Sequence, residues 1–350
     1  MRALSRPHSR WLLVATLVTT ACDLDALFSA GDPDGPSVVS DDSARAPRSR
    51  RRRRPRRSPF DEQAAPLPAP LAPAPSAPAE APGSIVRGPY DPAGQVALGV
   101  ALDRSPQDEY LLRRPQYVIS YNRFRNAPNW AAWRLSAADL GSTGRTRRGF
   151  APDPDLPDGA YRVLHTDYRA SGYDRGHLCP SSHRTAHPDD NAATFVMSNV
   201  LPQVHEMNAG AWESLEAWQV SMARRGWDLY TYAGGLWPAV CATHRTPQGN
   251  PVDPSCPTVG ERYEPAQRVA VPQSMWKVVV LVPAGRGLGG VTAETPAIAV
   301  DIPNDPGATG DWRGYQLTVD ALEARTGYDF LTAVPPAVQA VIESRVPRLQ

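Results

Sequence analysis

A chain of 350 residues, 41% hydrophobic and 21% charged, is long enough for one large domain or two small ones. Its net charge of +1 hides an asymmetry: nine arginines crowd into residues 45–57 and three more stand at Arg2, Arg6 and Arg10, so that 25 of the 37 basic and 27 of the 36 acidic residues lie from position 84 onward. That balance, near −2, excludes a globular part that attracts polyanions over its whole surface; any positive potential has to be focused locally.

Residues 1–22 read as an export signal. Arg2, Arg6 and Arg10 form a basic start, Trp11 to Val18 a short apolar run, and Ala21-Cys22 its end. The run falls well short of the roughly 20 residues needed to span a bilayer. Leu17-Val-Thr-Thr-Ala-Cys22 resembles a bacterial lipoprotein cleavage box, which would make Cys22 an acylated membrane anchor. Thr19 stands where leucine is usual, so plain secretion is the alternative. The expected location is the bacterial envelope, periplasm or outer membrane. Residues 23–83 carry the arginine block and the Pro/Ala-rich Ala64–Gly83, and they lack the apolar surface to offset chain ordering. They are expected to be a disordered linker. The arginines serve either as a solvated tether or as a non-specific hook for nucleic acid or anionic surfaces.

The globular composition starts at about Ser84, so residues 84–350 are expected to hold the functional domain. Strands are predicted at Tyr117–Tyr121, Trp130–Leu135, Thr194–Ser198, Asp228–Tyr232, Trp276–Val282 and Ala297–Val300, from short β-branched and aromatic runs. Met207–Arg225 carries helical spacing through Trp212, Leu215, Gln219 and Met222, with Gly226 as a stop. A second helix is predicted over Leu317–Thr326, closed by Gly327. Strands outnumber helices without regular alternation, which predicts an α+β domain around an antiparallel sheet. Cys241 and Cys256 bracket a Pro/Gly-rich excursion, and a disulfide there would stabilise by roughly 3 kcal/mol in the chain-entropy account. Lys277 is the only lysine, a fact that base composition explains without chemistry.

The chemistry-bearing residues fall in two short stretches. Asp174-Arg-Gly-His177 offers an imidazole, a suitable general base near neutral pH, and a guanidinium suited to phosphate oxygens. Asn208-Ala-Gly-Ala-Trp-Glu-Ser-Leu-Glu216 offers a neutral amide oxygen and a carboxylate. Mg²⁺ takes oxygen ligands, keeps several waters and needs only one or two protein groups. On a regular helix Glu216 would stand about 12 Å and about 80° from Asn208, which suits it to a water of the ion's shell better than to the ion. Arg148 follows the basic cluster Arg145-Thr-Arg-Arg148. Asp174 is expected to be buried and to hold its loop by hydrogen bonds.

These residues resemble the DNA/RNA non-specific endonuclease family, the ββα-metal or His-Me finger nucleases, with secreted bacterial sugar-non-specific nucleases and mitochondrial endonuclease G among its members. The resemblance covers roughly residues 110–335. It rests on Asp174-Arg-Gly-His177, Thr194-Phe-x-x-Ser-Asn199-x-x-Pro202-Gln203 and Asn208-x-x-x-Trp212-x-x-x-Glu216. Weaker support comes from Trp130-x-x-Trp133, Arg148-x-Phe150 with Asp153-Pro154, Val271-Pro272 before Lys277, Ile302-Pro303-Asn304 and the ending Val319-Asp320-x-x-Glu323-x-x-Thr326-Gly327. It implies a ββα-metal fold and hydrolysis of DNA and RNA to 5′-phosphate products, with no covalent intermediate. It implies His177 as general base, Asn208 as direct ligand of Mg²⁺ (Mn²⁺ the other ion considered), and Glu216 acting through a water. Arg148 and Arg175 would contact phosphate, and Asn199 would support the site by hydrogen bonds. Cys179 stands where alanine is common, and Ala209 where glutamine is frequent; neither change removes a chemical role.

Other readings compete. His177, His183 and His187 could converge on zinc, though their spacing matches no common zinc motif. The domain could be an inactive nuclease fold that binds polyanions in the envelope. A cysteine hydrolase built on Cys179 lacks an orienting third group.

Overall fold

The computed structural model describes residues 92–103, 110–238, 241, 255–260 and 267–348. The expected signal, its Cys22 anchor and the linker lie outside the described residues.

Seven strands form one antiparallel sheet in the order β1-β2-β3-β6-β9-β10-β11. They are β1 (Tyr110–Arg113), β2 (Val118–Asn122), β3 (Ala127–Leu135), β6 (Trp227–Leu236), β9 (Ser274–Pro283), β10 (Ala297–Pro303) and β11 (Gln316–Leu317). A separate hairpin pairs β4 (Asp174–His177) with β5 (Val200–Gln203), and a third pairs β7 (Thr258–Val259) with β8 (Val269–Ala270). The helices are α1 (Pro92–Gln95), α2 (Pro188–Ala193), α3 (His205–Met207), α4 (Glu213–Arg224), α5 (Val319–Thr326) and α6 (Pro336–Ile342). A π-helical turn, Asn208–Trp212, joins α3 to α4.

The central strands are buried on both faces, which is why β9 reads from Met275 to Val282 as an apolar run interrupted by Lys277 alone rather than as an alternation. Successive residues still split by parity between the two layers. Met275, Val279 and Leu281 of β9 join Trp133, Leu215 and Trp212 in one core; Trp276, Val278 and Val280 join Tyr232, Leu322 and Phe330 in the other. The β4–β5 hairpin and α4 cover the first face, and α5 and α6 the second. The domain is therefore α+β, three layers deep, with a ββα unit laid on one side of the sheet.

Two predicted elements differ from those observed. Thr194–Ser198 is not a strand. The chain there leaves α2 through a turn and a short 3₁₀ segment, and the strand begins at Val200. The side chain of Asn199 replaces the missing ladder: its Nδ2 donates to the carbonyls of Cys179 (2.8 Å) and Thr194 (3.0 Å), while its Oδ1 accepts from the Cys179 N–H (3.0 Å). The long helix is also broken. Gly210 takes φ −106°, ψ −107°, and the Glu213 N–H reaches back to the Asn208 carbonyl, an i→i+5 bond. Thr309 explains the choice of residue, because its Cα would lie 3.2 Å from a Cβ at Gly210. Helix α5 starts at Val319, with the Thr318 hydroxyl accepting from the Ala321 N–H, and ends at Gly327 in the left-handed region at φ 78°.

Asn304 fixes the hairpin to the sheet. Its Nδ2 donates to the carbonyls of Pro202 and Pro272, and its Oδ1 accepts from the Val204 N–H at 2.8 Å. Gly176 allows β4 and β5 to close: a Cβ there would lie 2.1 Å from Cδ of Gln203, itself fully buried. Cys241 and Cys256 are joined by a disulfide. Among the described residues no helix is long and apolar enough to cross a membrane.

Candidate active site

Strand β4 and the π turn are stapled together at two points. The Asp174 carboxylate accepts from Nδ2 of Asn208 at 3.0 Å, and Nε1 of Trp212 donates to the His177 carbonyl at 3.3 Å. The strand that carries the imidazole and the helical turn that carries the amide are thus one rigid piece. Asp174 is half-exposed rather than buried, with 37% of its side chain accessible, because the same carboxylate oxygen also meets Nδ1 of His205 at 2.8 Å in the open. This pairing raises the pKa of His205, first through the hydrogen bond and then through the charge of Asp174.

The donation from Asn208 settles the orientation of its amide. A carboxylate can only accept, so the nitrogen faces Asp174 and the carbonyl oxygen is turned away, with no protein donor among the described residues. A neutral oxygen presented in this way fits a hard divalent cation.

His177 is held by packing. Its ring lies 5.0 Å from that of Phe150 and meets Phe195 edge-on at 4.8 Å. It is buried, and Nε2 has no hydrogen-bond partner. Burial, with a smaller contribution from the Arg145 charge, lowers its pKa from 6.5 to about 3. The imidazole is therefore neutral at pH 7. The same shift carries a stability cost in acid. Below 6.5 the unfolded chain takes up a proton that the folded ring refuses, so the stability contributed by neutral His177 is present above 6.5 and lost as pH falls toward 3. A phenylalanine of similar shape has no such liability. In urea titrations at successive pH values, His177→Phe should gain on the native chain by about 1.4 kcal/mol per pH unit below 6.5. A gap that stays constant from pH 7 to pH 4 would contradict the buried neutral ring.

Arginines surround the imidazole. Arg175 lies over the Phe150 ring, its Cζ 5.3 Å from the centroid, and Arg145 lies over Phe195 at 4.7 Å. Arg148 is exposed, and its guanidinium has no partner among the described residues; only its N–H is engaged, by the Thr146 hydroxyl. Sequence reasoning singled out Arg148 and passed over Arg145. The basic cluster was visible, but only the ring stack beneath Arg145 shows which member approaches the histidine.

Glu216 reaches the same region through the break in the helix. A π turn accommodates one extra residue, so the angle between Asn208 and Glu216 falls from about 80° to about 20°. Its Oε1 accepts from Nζ of Lys277 at 3.4 Å, and that ammonium sits 3.9 Å from the centroid of Trp212. Burial raises the Glu216 pKa to about 7, and the charge of Lys277 opposes the rise. Burial likewise lowers that of Lys277, against the pull of Glu216. Lys277, a residue set aside in the sequence as a product of base composition, is thus the cation beneath the candidate site. The signal was there: one lysine in an otherwise apolar strand.

The residues of the zinc reading do not converge. His183 is fully buried, with Nδ1 accepting from Trp133 at 3.1 Å and Nε2 directed at the Glu216 carbonyl at 3.2 Å. His187 is exposed and caps α2. Cys179 is sealed in the core and burial pushes its thiol up to about 12, so it is inert as a nucleophile.

The sequence pattern of the family described as DNA/RNA non-specific endonuclease matches residues 102–337. A protein named Nuclease from Nostoc sp. (strain PCC 7120) is 42% identical over 240 residues, covering 68% of this chain and 79% of that protein. Mitochondrial Nuclease EXOG of Danio rerio is 30% identical over 62% of this chain and 60% of its own length. Mitochondrial Endonuclease G of Homo sapiens is 29% identical over 55% of this chain and 61% of its own length. This chain therefore spans about three fifths of those mitochondrial relatives. Among solved structures, the crystal structure of the EndoG/EndoGI complex superposes with a TM-score of 0.56 at 25% identity, over 71% of this chain and 95% of that one.

Proposed function

The chain belongs to the DNA/RNA non-specific endonuclease family, and from that premise we propose that it hydrolyses DNA and RNA phosphodiesters with one Mg²⁺, leaving 5′-phosphate ends. The protein is a hydrolase acting as a nuclease. The observation that carries the finer reading is the pair of staples from β4 to the π turn, which sets a neutral buried imidazole and an outward amide oxygen on one rigid unit.

In this reading His177 takes the proton from the attacking water; its neutral state leaves a lone pair free, and the negative charge of a bound phosphate offsets the burial and the Arg145 charge that lower its pKa. Phe150 and Phe195 hold the ring in place by packing on it. Arg175 and Arg148 bind the non-bridging phosphate oxygens, and Arg145, whose charge acts on the imidazole, joins them. The family's metal, when bound, neutralises charge on the phosphate and on the leaving oxygen. Asn208 would hold it through Oδ1, and Glu216 would reach its hydration shell. Asp174 fixes the Asn208 amide, and Asn199 fixes the loop behind His177. The described residues contain no base-reading module, so recognition runs through phosphates and weakens steeply with salt.

By the same proposal residues 1–22 direct export, 23–83 tether the enzyme, and 84–350 form the nuclease domain. Cys22 would carry the lipid that holds it to the envelope. A protein inhibitor is a reasonable partner class, since the superposed EndoG was solved in complex with EndoGI.

Supercoiled DNA and RNA offered to the full chain test the mechanism. Cutting should require Mg²⁺, with Mn²⁺ as a substitute, stop in EDTA, and fall by about 10²-fold or more in Asn208→Ala. Product ends should be relabelled by a 5′ kinase only after phosphatase treatment. Undiminished cutting in EDTA, or by Asn208→Ala, would remove the metal from the mechanism.

A further inference from the structure

On the sheet face opposite the candidate active site, three carboxylates meet where the last helix returns to α5. Asp320 and Glu323 project from one side of α5, three residues apart. Glu343 caps the C-terminal end of α6. One oxygen of each lies within 4.8 Å of the others. The backbones are joined as well, since the Asp320 N–H donates to the Glu343 carbonyl at 3.2 Å.

Proximity of acids alone does not make a site, but Glu343 adds a separate observation. Its residue is only 6% exposed, and Oε1 has no hydrogen-bond partner. Gln339 gives the carboxyl one hydrogen bond, but no cation faces it among the described residues. Glu323 is committed through Oε1 to the Phe330 N–H at 2.8 Å, and none of the salt bridges among the described residues reaches any of the three. Burial and the charges of Glu323, Asp320 and Asp329 push the Glu343 carboxyl up to about 8 against the Gln339 hydrogen bond, and burial with the charges of Asp329 and Asp320 raises Glu323 against the Phe330 N–H. A buried carboxylate facing two others with no cation is costly, and a neutral isostere would serve packing equally well.

We propose that Asp320, Glu323 and Glu343 bind a Ca²⁺ ion that clamps the C-terminal helix to α5, separately from the catalytic metal. The donors are all hard oxygens, and three carboxylates suit an ion that accepts six to eight oxygen ligands. Bonds of about 2.4 Å and a flexible shell let Ca²⁺ accept carboxylates carried by two separate segments, whereas Mg²⁺ demands near-octahedral geometry at about 2.1 Å and keeps most of its waters. Asp320 is exposed and Glu343 buried, so the ion would close the mouth of the cluster with waters completing its shell. The site lies on the face of α5 and α6, whereas His177 and Asn208 belong to the unit on the other face.

Thermal unfolding of the full chain carrying Asn208→Ala, which weakens the other metal position, isolates this site. Adding 10 mM CaCl₂ to the chelated protein should raise Tm by roughly 3–8 °C. MgCl₂ at the same concentration should raise it less. At pH 9, above the raised Glu343 value, Glu343→Gln should raise Tm without metal by removing the buried charge, and at pH 7 as at pH 9 it should abolish the Ca²⁺ response. Asp320→Asn, at an exposed position that leaves the core untouched, should at least halve the response. The proposal is overturned by the absence of a Ca²⁺ shift in the Asn208→Ala chain, by a Mg²⁺ shift as large, or by a Ca²⁺ shift that survives in Asp320→Asn. None of these outcomes bears on DNA hydrolysis, so the nuclease mechanism stands or falls independently.

Discussion

Replacing His177 with alanine is expected to lower turnover of DNA and RNA by about 10²- to 10⁴-fold, the range for loss of a general base, while DNA affinity changes by less than about threefold. The separation follows from where the charges are. His177 is neutral at pH 7 and contributes nothing to attraction of the phosphate, while Arg145 and Arg175, stacked on the flanking rings, supply it. The substitution also leaves a slot between Phe150 and Phe195 of imidazole shape. Free imidazole at tens of millimolar should therefore restore part of the rate, and it should not do so for Asn208→Ala. Single-turnover cleavage and fluorescence anisotropy, measured on the same preparations, separate the two effects. If His177→Ala cuts at the native rate, or loses affinity in step with rate, the ring is not the base. A chain that binds DNA but cuts no substrate even with His177 intact would support the inactive polyanion-binding reading.

The fold was readable in sequence where a single local pattern decided it. The run Trp276–Val282 could only be a buried strand, and Gly327 had to end a helix. Prediction failed where one side chain overrides the pattern. Thr194–Ser198 has the composition of a strand, yet the Asn199 amide takes up the backbone groups that a partner strand would have needed. The helix from Met207 keeps its apolar spacing on both sides of Gly210, so the extra residue is invisible to periodicity. That one residue decides whether Glu216 faces away from Asn208 or along with it. The motif residues His177, Asn208 and Asn199 were legible because their order along the chain is distinctive. Arg145 and the stacking of Phe195 were not, because each depends on contacts between segments far apart in sequence; Lys277 stood out as one lysine in an apolar strand, but its pairing with Glu216 and its seat on Trp212 did not. Asp174 was read as an internal brace, and it does brace, but from the rim of the site where His205 shares it.

Lys277→Met should destabilise the domain by about 3–5 kcal/mol, the cost of leaving one partner of a buried ion pair behind. Methionine fills much of the same volume among Trp133 and Trp212, so little of this would come from a cavity. The loss would come from Glu216, whose carboxylate has burial against it and whose principal compensation is the Lys277 ammonium. The sign with pH follows. A carboxyl raised in the folded state stabilises most below its unfolded value of 4.5, and that contribution disappears as pH rises through the folded value, about 7 with Lys277 present and higher without it. The stability gap between native and Lys277→Met chains should therefore be widest at pH 8 and narrow toward pH 5. Adding Glu216→Gln to Lys277→Met should recover most of the stability, because two neutral groups then replace the unmatched charge. It should not recover cleavage if the carboxylate reaches the hydration shell of the metal. Urea midpoints at pH 5 and 8 for the native, single and double variants decide the matter. A pH-independent gap, or a double variant no more stable than Lys277→Met, would mean that the lysine is held for packing on Trp212 and not for the charge of Glu216.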